Sequence, residues 1–275
     1  MDLSAGALRW WRRGVAALVL GFTGLYAVAI GALWWQQEKL LFHPAPLPAT
    51  HAFALGDDVH EVWIDVHGAR LNALHLQRPK PDAVVFYLHG NAGNLQRWFV
   101  NADFYRRANV DLFMIDYRGF GKSTGRIESQ AQLEADVRAA WAAIAPRYAG
   151  VRRVFFGRSL GTGLAAMLAA EVQPEMTILV SPYASMQQLA GEIYPWVPGA
   201  ALRYPLRTDQ WLPKVKGPVL LAHGDRDRLI PFAHGEQLAA LAPQARLLRV
   251  AGAGHGDIQS FETYLQGVSE ALAGR

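Results

Sequence analysis

The chain has no cysteine among its 275 residues, so disulfide scaffolds, thiolate metal sites and cysteine nucleophiles are excluded at once. Charge is also scarce. Only 18% of residues are charged against 51% hydrophobic, a composition that can bury a full core and is not that of a disordered chain. No Lys/Arg-rich run follows Arg13, and without a concentrated basic face no nucleic-acid partner is expected. The formal net charge is +4, and half of it falls in the first forty residues, where Arg9, Arg12, Arg13 and Lys39 face Asp2 and Glu38. There is no H-E-x-x-H, and the nine histidines are scattered without ligand spacing, so no metal is expected. Internal repeats and low-complexity tracts are missing as well.

What is present first is a long apolar run. From Gly14 to Trp35 no residue is charged. As a helix this stretch extends about 33 Å, enough to cross a bilayer core. Trp10 and Trp11 precede it and Trp34 and Trp35 close it, where interfacial aromatic belts belong. Three arginines lie before it and only Lys39 shortly after. The positive-inside bias therefore puts residues 1–13 in the cytoplasm and everything beyond 35 on the opposite, periplasmic or extracytoplasmic, side. Ala27-Val28-Ala29 offers a signal-peptide cleavage site, but the run continues past it. A soluble core helix would rarely go so long without a polar position. The reading is an uncleaved single-pass anchor over 14–35.

Residues 36–58 carry Pro44, Pro46 and Pro48 and no clear periodicity, and read as a connector. Residues 59–275 then read as one domain. Runs at 61–66 and 71–76 look like strands joined by a turn at His67-Gly68. Apolar runs at 83–88, 110–115, 154–156, 177–180, 219–222 and 246–250 look like buried strands. Helical stretches are expected near 95–108, 130–146, 160–171, 232–241 and 257–272, the second opened by a capping box at Ser129 and Gln132. Two leading strands followed by this alternation predict a mainly parallel α/β sheet. The stretch 183–213, with Pro195, Pro198, Pro205 and Pro213, breaks the alternation and predicts a small cap excursion.

Chemistry in such a sheet sits at the C-terminal ends of the strands. There Gly157-Arg158-Ser159-Leu160-Gly161 leads from a strand straight into an apolar helix, the nucleophile-elbow pattern G-x-S-x-G. Gly121-Lys122-Ser123-Thr124-Gly125 matches as well. It lies beyond its strand and is followed by Arg126-Ile127-Glu128, so Ser123 reads as a loop residue and Ser159 as the nucleophile. Gly-Lys-Ser at 121–123 also evokes a phosphate-binding loop, but the first glycine of that motif would fall at Asp116.

A serine hydroxyl needs a base, and the base needs an acid to orient it. Where an elbow of this kind occurs, acid and then histidine follow the serine. His255 lies in the glycine-rich loop Gly252-Ala253-Gly254-His255-Gly256 after the last strand and is the favoured base. His234, just past Pro231, is expected to face solvent from the first turn of a helix, and His223 to pack beneath the site. The loop 223–231 offers Asp225 and Asp227 as the acid, Asp225 being equally suited to bond its own turn. Leu160, after the nucleophile, supplies one backbone N–H for an oxyanion. Asn91, in the loop His89-Gly90-Asn91-Ala92-Gly93-Asn94, is the candidate for the second.

Four motifs carry a resemblance in order: HGNAGN at 89–94, DYRGFGKSTG at 116–125, GRSLGTG at 157–163, and HGDRDRLIP at 223–231 with GAGHGD at 252–257. Over about residues 38–272 the chain resembles the α/β-hydrolase superfamily, and within it the BEM46/ABHD13-type membrane-anchored serine hydrolases. Members commonly carry an N-terminal anchor followed by a segment like Lys39-Leu40-Leu41-Phe42-His43-Pro44. The resemblance implies the α/β-hydrolase fold, a mainly parallel sheet with helices on both faces. It makes the second aspartate of the H-G-x-x-D loop, Asp227, the acid beside Ser159 and His255. The implied reaction is acyl transfer to water on a small-molecule or lipid-like acyl substrate, with no cofactor. A peptidase on short peptides is the rival within the class, and a catalytically silent membrane-tethered binding module the rival outside it.

Overall fold

In the computed structural model, which describes residues 5–274, three apolar strands lie side by side at the centre of an eight-stranded sheet. The strands are β1 Val59–Val66, β2 Ala69–Leu76, β3 Ala83–Leu88, β4 Val110–Ile115, β5 Arg152–Arg158, β6 Met176–Val180, β7 Val219–Gly224 and β8 Ala245–Val250. Their spatial order is β1-β2-β4-β3-β5-β6-β7-β8, and every pairing is parallel except those of β2 with β1 and β4. Successive side chains of a strand point to opposite faces, and that alternation sorts two cores. Phe86, Phe113 and Phe155 point to one face, where Phe86 stacks on Phe113 at 5.8 Å and Trp141 meets Phe155 edge-on at 4.8 Å. Val85, Tyr87, Leu112, Met114, Val154 and Phe156 point to the other. Each fully buried aromatic ring contributes about 2–3 kcal/mol of apolar burial.

After an N-terminal helix, α1 Ala5–Leu41, helices cover both faces: α2 Ala102–Arg107, α3 Gln130–Ile144, α4 Leu160–Val172, α5 Met186–Ile193, α6 Ala233–Leu241 and α7 Glu262–Ala273. Leu133, Val137 and Trp141 of α3, Leu164 and Leu168 of α4 and Leu238 of α6 pack on the first core, while Tyr105 of α2 and Val268 and Leu272 of α7 pack on the second. Ser129 caps α3 by accepting from the Gln132 N–H at 3.1 Å, and the Gln132 side-chain Oε1 accepts from the Glu128 N–H. The continuous helix expected over 95–108 is instead broken into Leu95–Trp98, a 3₁₀ turn Phe99–Asn101 and α2. The turn rotates Phe99 into the core and leaves Val100 outside.

α1 is one unbroken helix of 37 residues, about 55 Å long, and none of its apolar stretch is buried. Leu18, Phe22 and Leu25 are each more than 70% exposed. The helix continues past Trp35 to Leu41, and the following residues do not hang free as a connector. Phe42 is buried against Tyr204, His43–Pro44 pair in parallel with Ala92–Gly93, and Leu47 donates to the Gly121 carbonyl. The prolines hide this strap from periodicity, because they remove N–H groups while leaving the carbonyls and flanking amides to bond.

Candidate active site

β5 ends at Arg158 and α4 begins at Leu160, so Ser159 alone turns the chain. Its φ of 51° and ψ of −118° are values that L-residues rarely adopt, and its surroundings hold them. The Ser159 N–H donates to the Val180 carbonyl at 2.9 Å, and the Thr162 N–H and Oγ1 both donate to the Ser159 carbonyl. The two elbow glycines are required by close approach. A Cβ at Gly161 would lie 2.0 Å from the Leu88 carbonyl oxygen, and one at Gly157 would lie 2.6 Å from that of Gly161. The N–H of Leu160, at the first position of α4, has no carbonyl within the helix to bond and is free for a ligand.

Three expected site residues meet in a line. His255 Nε2 is 3.0 Å from Ser159 Oγ, and His255 Nδ1 is 2.7 Å from Asp227 Oδ2. The other oxygen of Asp227 accepts from the backbone N–H groups of Leu229 and Ile230 at 2.9 and 2.8 Å. Burial pushes the Asp227 carboxyl up, yet the facing rings of His223 and His255 and the Ile230 amide outweigh it and hold the group well below the usual carboxylate range. Asp227 is thus an anion at neutral pH. With that anion facing Nδ1, the Nδ1–H tautomer directs the Nε2 lone pair at Ser159 Oγ.

The alternatives fall elsewhere. Asp225 accepts from Arg249 and from the Gly252 N–H at 2.7 Å, and so ties its turn to the loop after β8. His223 is fully buried, with Nε2 2.9 Å from the Ile230 carbonyl and 3.6 Å from Asp227 Oδ2, beyond hydrogen-bonding distance. His234 does begin α6, but it is only 1% exposed and so does not face solvent. Its Nδ1 accepts from the Ala184 N–H and its Nε2 lies 3.1 Å from Glu192, because the cap excursion closes over that turn. Ser123 is buried between the Asp116 carbonyl and the Asn72 N–H, a staple between two loops.

Ser159 and His255 open onto a cleft of about 320 Å³ bordered by Asn91, Trp98, Tyr105, Arg158, Leu229 and Tyr264 among others. Asn91 sits beside the serine, its side-chain amide donating to the Leu41 carbonyl and its own carbonyl accepting from the His43 N–H. Sequence reasoning missed Arg158, whose guanidinium donates to the His255 carbonyl and braces the loop that carries the imidazole. A charged residue ending the apolar run 154–156 was the available signal.

The chain is 31% identical to alpha/beta hydrolase domain-containing protein 17B of Xenopus laevis over 202 residues, covering 71% of this chain and 68% of that one. The chain belongs to the α/β-hydrolase superfamily. The narrower resemblance to BEM46/ABHD13-type members is compatible with that membership. An uncharacterized protein of Mycobacterium tuberculosis is 30% identical over 234 residues, 82% of each chain. The family model described as serine aminopeptidase, S33, matches residues 79–208, which include Ser159 and stop before Asp227. Among solved structures, an esterase of Pyrococcus furiosus superposes with a TM-score of 0.65 at 19% identity, covering 84% of this chain and 97% of that one. Est1E of Butyrivibrio proteoclasticus, solved with ferulic acid bound, gives 0.62 at 21% identity, over 77% and 96%. These two show the same α/β-hydrolase fold, and the chain is a hydrolase of this superfamily.

Proposed function

We propose that the chain is a membrane-anchored serine hydrolase that cleaves carboxylic ester or thioester bonds of acyl, lipid-like substrates. The single observation that carries the proposal is His255 spanning Ser159 at 3.0 Å and Asp227 at 2.7 Å. In this mechanism His255 takes the Ser159 proton through Nε2 as Oγ attacks the substrate carbonyl. The backbone N–H groups of Leu160 and Asn91 hold the oxyanion, and the imidazolium returns its proton to the leaving group. Water, deprotonated by the same imidazole, then attacks the acyl-enzyme and frees Ser159. Asp227 stays ionised throughout and fixes the tautomer.

The lining of the cleft favours a neutral or anionic acyl substrate over a peptide amine. Among the described residues bordering it there is no carboxylate, whereas Arg97 and Arg158 are both present. An aminopeptidase needs an anion to hold the substrate's ammonium group. A volume near 320 Å³ suits a short or medium acyl chain.

The N-terminal helix supports the anchored state, being the one described helix long and apolar enough to cross a bilayer. The arginine bias supports a cytoplasmic N-terminus and a hydrolase domain on the opposite, periplasmic or extracytoplasmic, side.

The test is a fluorophosphonate probe on membranes from expressing cells, with purified wild type and Ser159→Ala then offered p-nitrophenyl esters, acyl thioesters and aminoacyl anilides. Serine-dependent labelling at full-length mass and turnover of the first two classes are expected. Esterase activity surviving in Ser159→Ala would overturn the assignment, and turnover of the anilides alone would replace it with a peptidase. A folded wild-type protein that takes no label would favour a silent binding module.

A further inference from the structure

The cap excursion meets α1 within the helix's apolar stretch. The Tyr26 hydroxyl donates to the Trp196 carbonyl at 2.8 Å. Tyr26 belongs to the uncharged run 14–35 and lies nine residues, about 13 Å along the helix axis, to the lipid side of Trp35. Two residues beyond the aromatic pair, Gln37 donates to the Ala201 carbonyl at 2.7 Å and accepts from the Arg203 N–H at 2.8 Å. Arg203 pairs with Glu38 and sits over the Trp34 ring at 4.8 Å. The segment from 193 to 202 therefore runs alongside the helix from its interfacial end toward its apolar middle.

The chemistry of that segment matches its position. Between Glu192 and Arg203 the sequence is Ile193-Tyr194-Pro195-Trp196-Val197-Pro198-Gly199-Ala200-Ala201-Leu202, with no charged residue. Ile193, Tyr194 and Trp196 are each at least half exposed, an apolar patch that needs a cover. Backbone amides entering lipid must be satisfied internally. Here Pro195 and Pro198 have no N–H, and four of the segment's other amides, those of Tyr194, Val197, Ala201 and Leu202, donate to carbonyls of Ala190, Tyr194, Pro198 and Gly199. Tyr26 and Gln37 cover two more carbonyls. Arg203 and Trp34, a cation and an aromatic ring in contact, are the pair expected at the headgroup level.

We infer that residues 193–202 are a second membrane-contacting element, inserted into the leaflet on the hydrolase side and packed against α1. The inference rests on the reading of α1 as an anchor. It means that the domain sits on the bilayer in a fixed orientation, held by two elements, and does not swing on a tether.

The absence of native cysteine makes the test direct, since one introduced thiol is the only one in the chain. Full-length Ala200→Cys, Leu20→Cys and Lys216→Cys, each labelled with an environment-sensitive fluorophore, are reconstituted in phosphatidylcholine nanodiscs with and without acyl-chain doxyl quenchers. The label at 200 is expected to lose most of its emission to the quencher, as does the label at 20 in the helix, while the label at 216 keeps it. Quenching at 20 with none at 200 overturns the inference and leaves the anchor standing. No quenching at 20 or 200 overturns the anchor reading itself. Equal quenching at all three positions, 216 included, also overturns the inference, because contact would then not be confined to the segment.

Discussion

The Asn91 side chain donates from Nδ2 to the carbonyl of Leu41, 3.0 Å away, so the loop beside Ser159 is tied to the last residue of the N-terminal helix. The tie does not stand alone. The His43 N–H donates to the Asn91 carbonyl at 2.8 Å, the Ala45 N–H to that of Gly93, and Asn94 Nδ2 to that of Ala45. If the Asn91 N–H is to meet an oxyanion, its peptide must be held in place before the reaction starts. The strap 41–47 does that holding.

A shortened chain beginning at Gln36 is therefore expected to keep most of its esterase activity, because it retains the whole strap. One beginning at Ala49 loses the strap and is expected to approach the Ser159→Ala level. Asn91→Ala keeps the backbone donor and cuts only the tie, so kcat should fall about tenfold, about 1.4 kcal/mol, with little change in KM. Equal kcat for the two shortened chains, both folded by circular dichroism, would remove the strap from the catalytic account.

The two aspartates of the 223–231 loop should separate cleanly. Asp227→Asn puts an amide against His255 Nδ1 and favours the wrong tautomer, at a cost of about 10⁴ in kcat. Asp225→Asn removes an anion facing Arg249 and the Gly252 N–H, so it should lower the melting temperature modestly and leave kcat within about threefold. Steady-state kinetics on one p-nitrophenyl ester decides between them. A larger loss of kcat in the Asp225 variant would reassign the acid.

Much of this arrangement was legible from residue types alone. The elbow could be read because Gly157 and Gly161 are demanded by carbonyl groups less than 3 Å from where a Cβ would stand. The central apolar strands could be read because 83–88 and 110–115 are buried on both faces, whereas 246–250, expected to be buried, lies at the sheet edge with only Val250 buried. What stayed hidden depends on partners remote in sequence. The expected surface position of His234 failed because Ala184 and Glu192, more than 40 residues away, close over it. The strap at 41–47 has no period to find, since its bonds go to loops at 91–93 and 121. Arg158 stands out locally as a charge beside an apolar run, but its partner, the carbonyl of His255, lies 97 residues away.

Glycine substitutions give a graded check on the elbow. Gly161→Ala places a methyl 2.0 Å from one backbone oxygen and 2.6 Å from the carbon of the same carbonyl, with no flexible side chain to move aside. The expected cost is several kcal/mol, enough to abolish soluble expression or lower the melting temperature steeply. Gly191→Ala in α5 meets nothing within 4 Å and should stabilise by about 0.5–1 kcal/mol through helix propensity. A tolerated Gly161→Ala with unchanged melting would mean that the serine turn is looser than its φ of 51° implies.

The far end of the sheet carries a pH response unrelated to catalysis. His75 is buried on β2 against Tyr148, whose hydroxyl donates to Asp111 at 2.6 Å, and burial first, then the charges of Arg147 and His60, lower its pKa to about 4. In the unfolded chain the same ring takes a proton near pH 6.5. Between those values the unfolded state binds the extra proton, so folding stability must fall as pH drops from about 6.5 toward about 4, by at most about 3 kcal/mol. Asp111, whose carboxyl burial raises, works in the opposite sense at the acid end of that range. His75→Phe removes the ring's contribution while Tyr148 keeps its bond to Asp111. Thermal melts at pH 7 and pH 5 should show wild type losing more stability than the variant. Equal losses would mean that His75 is protonated in the folded protein and that the wall around it admits water.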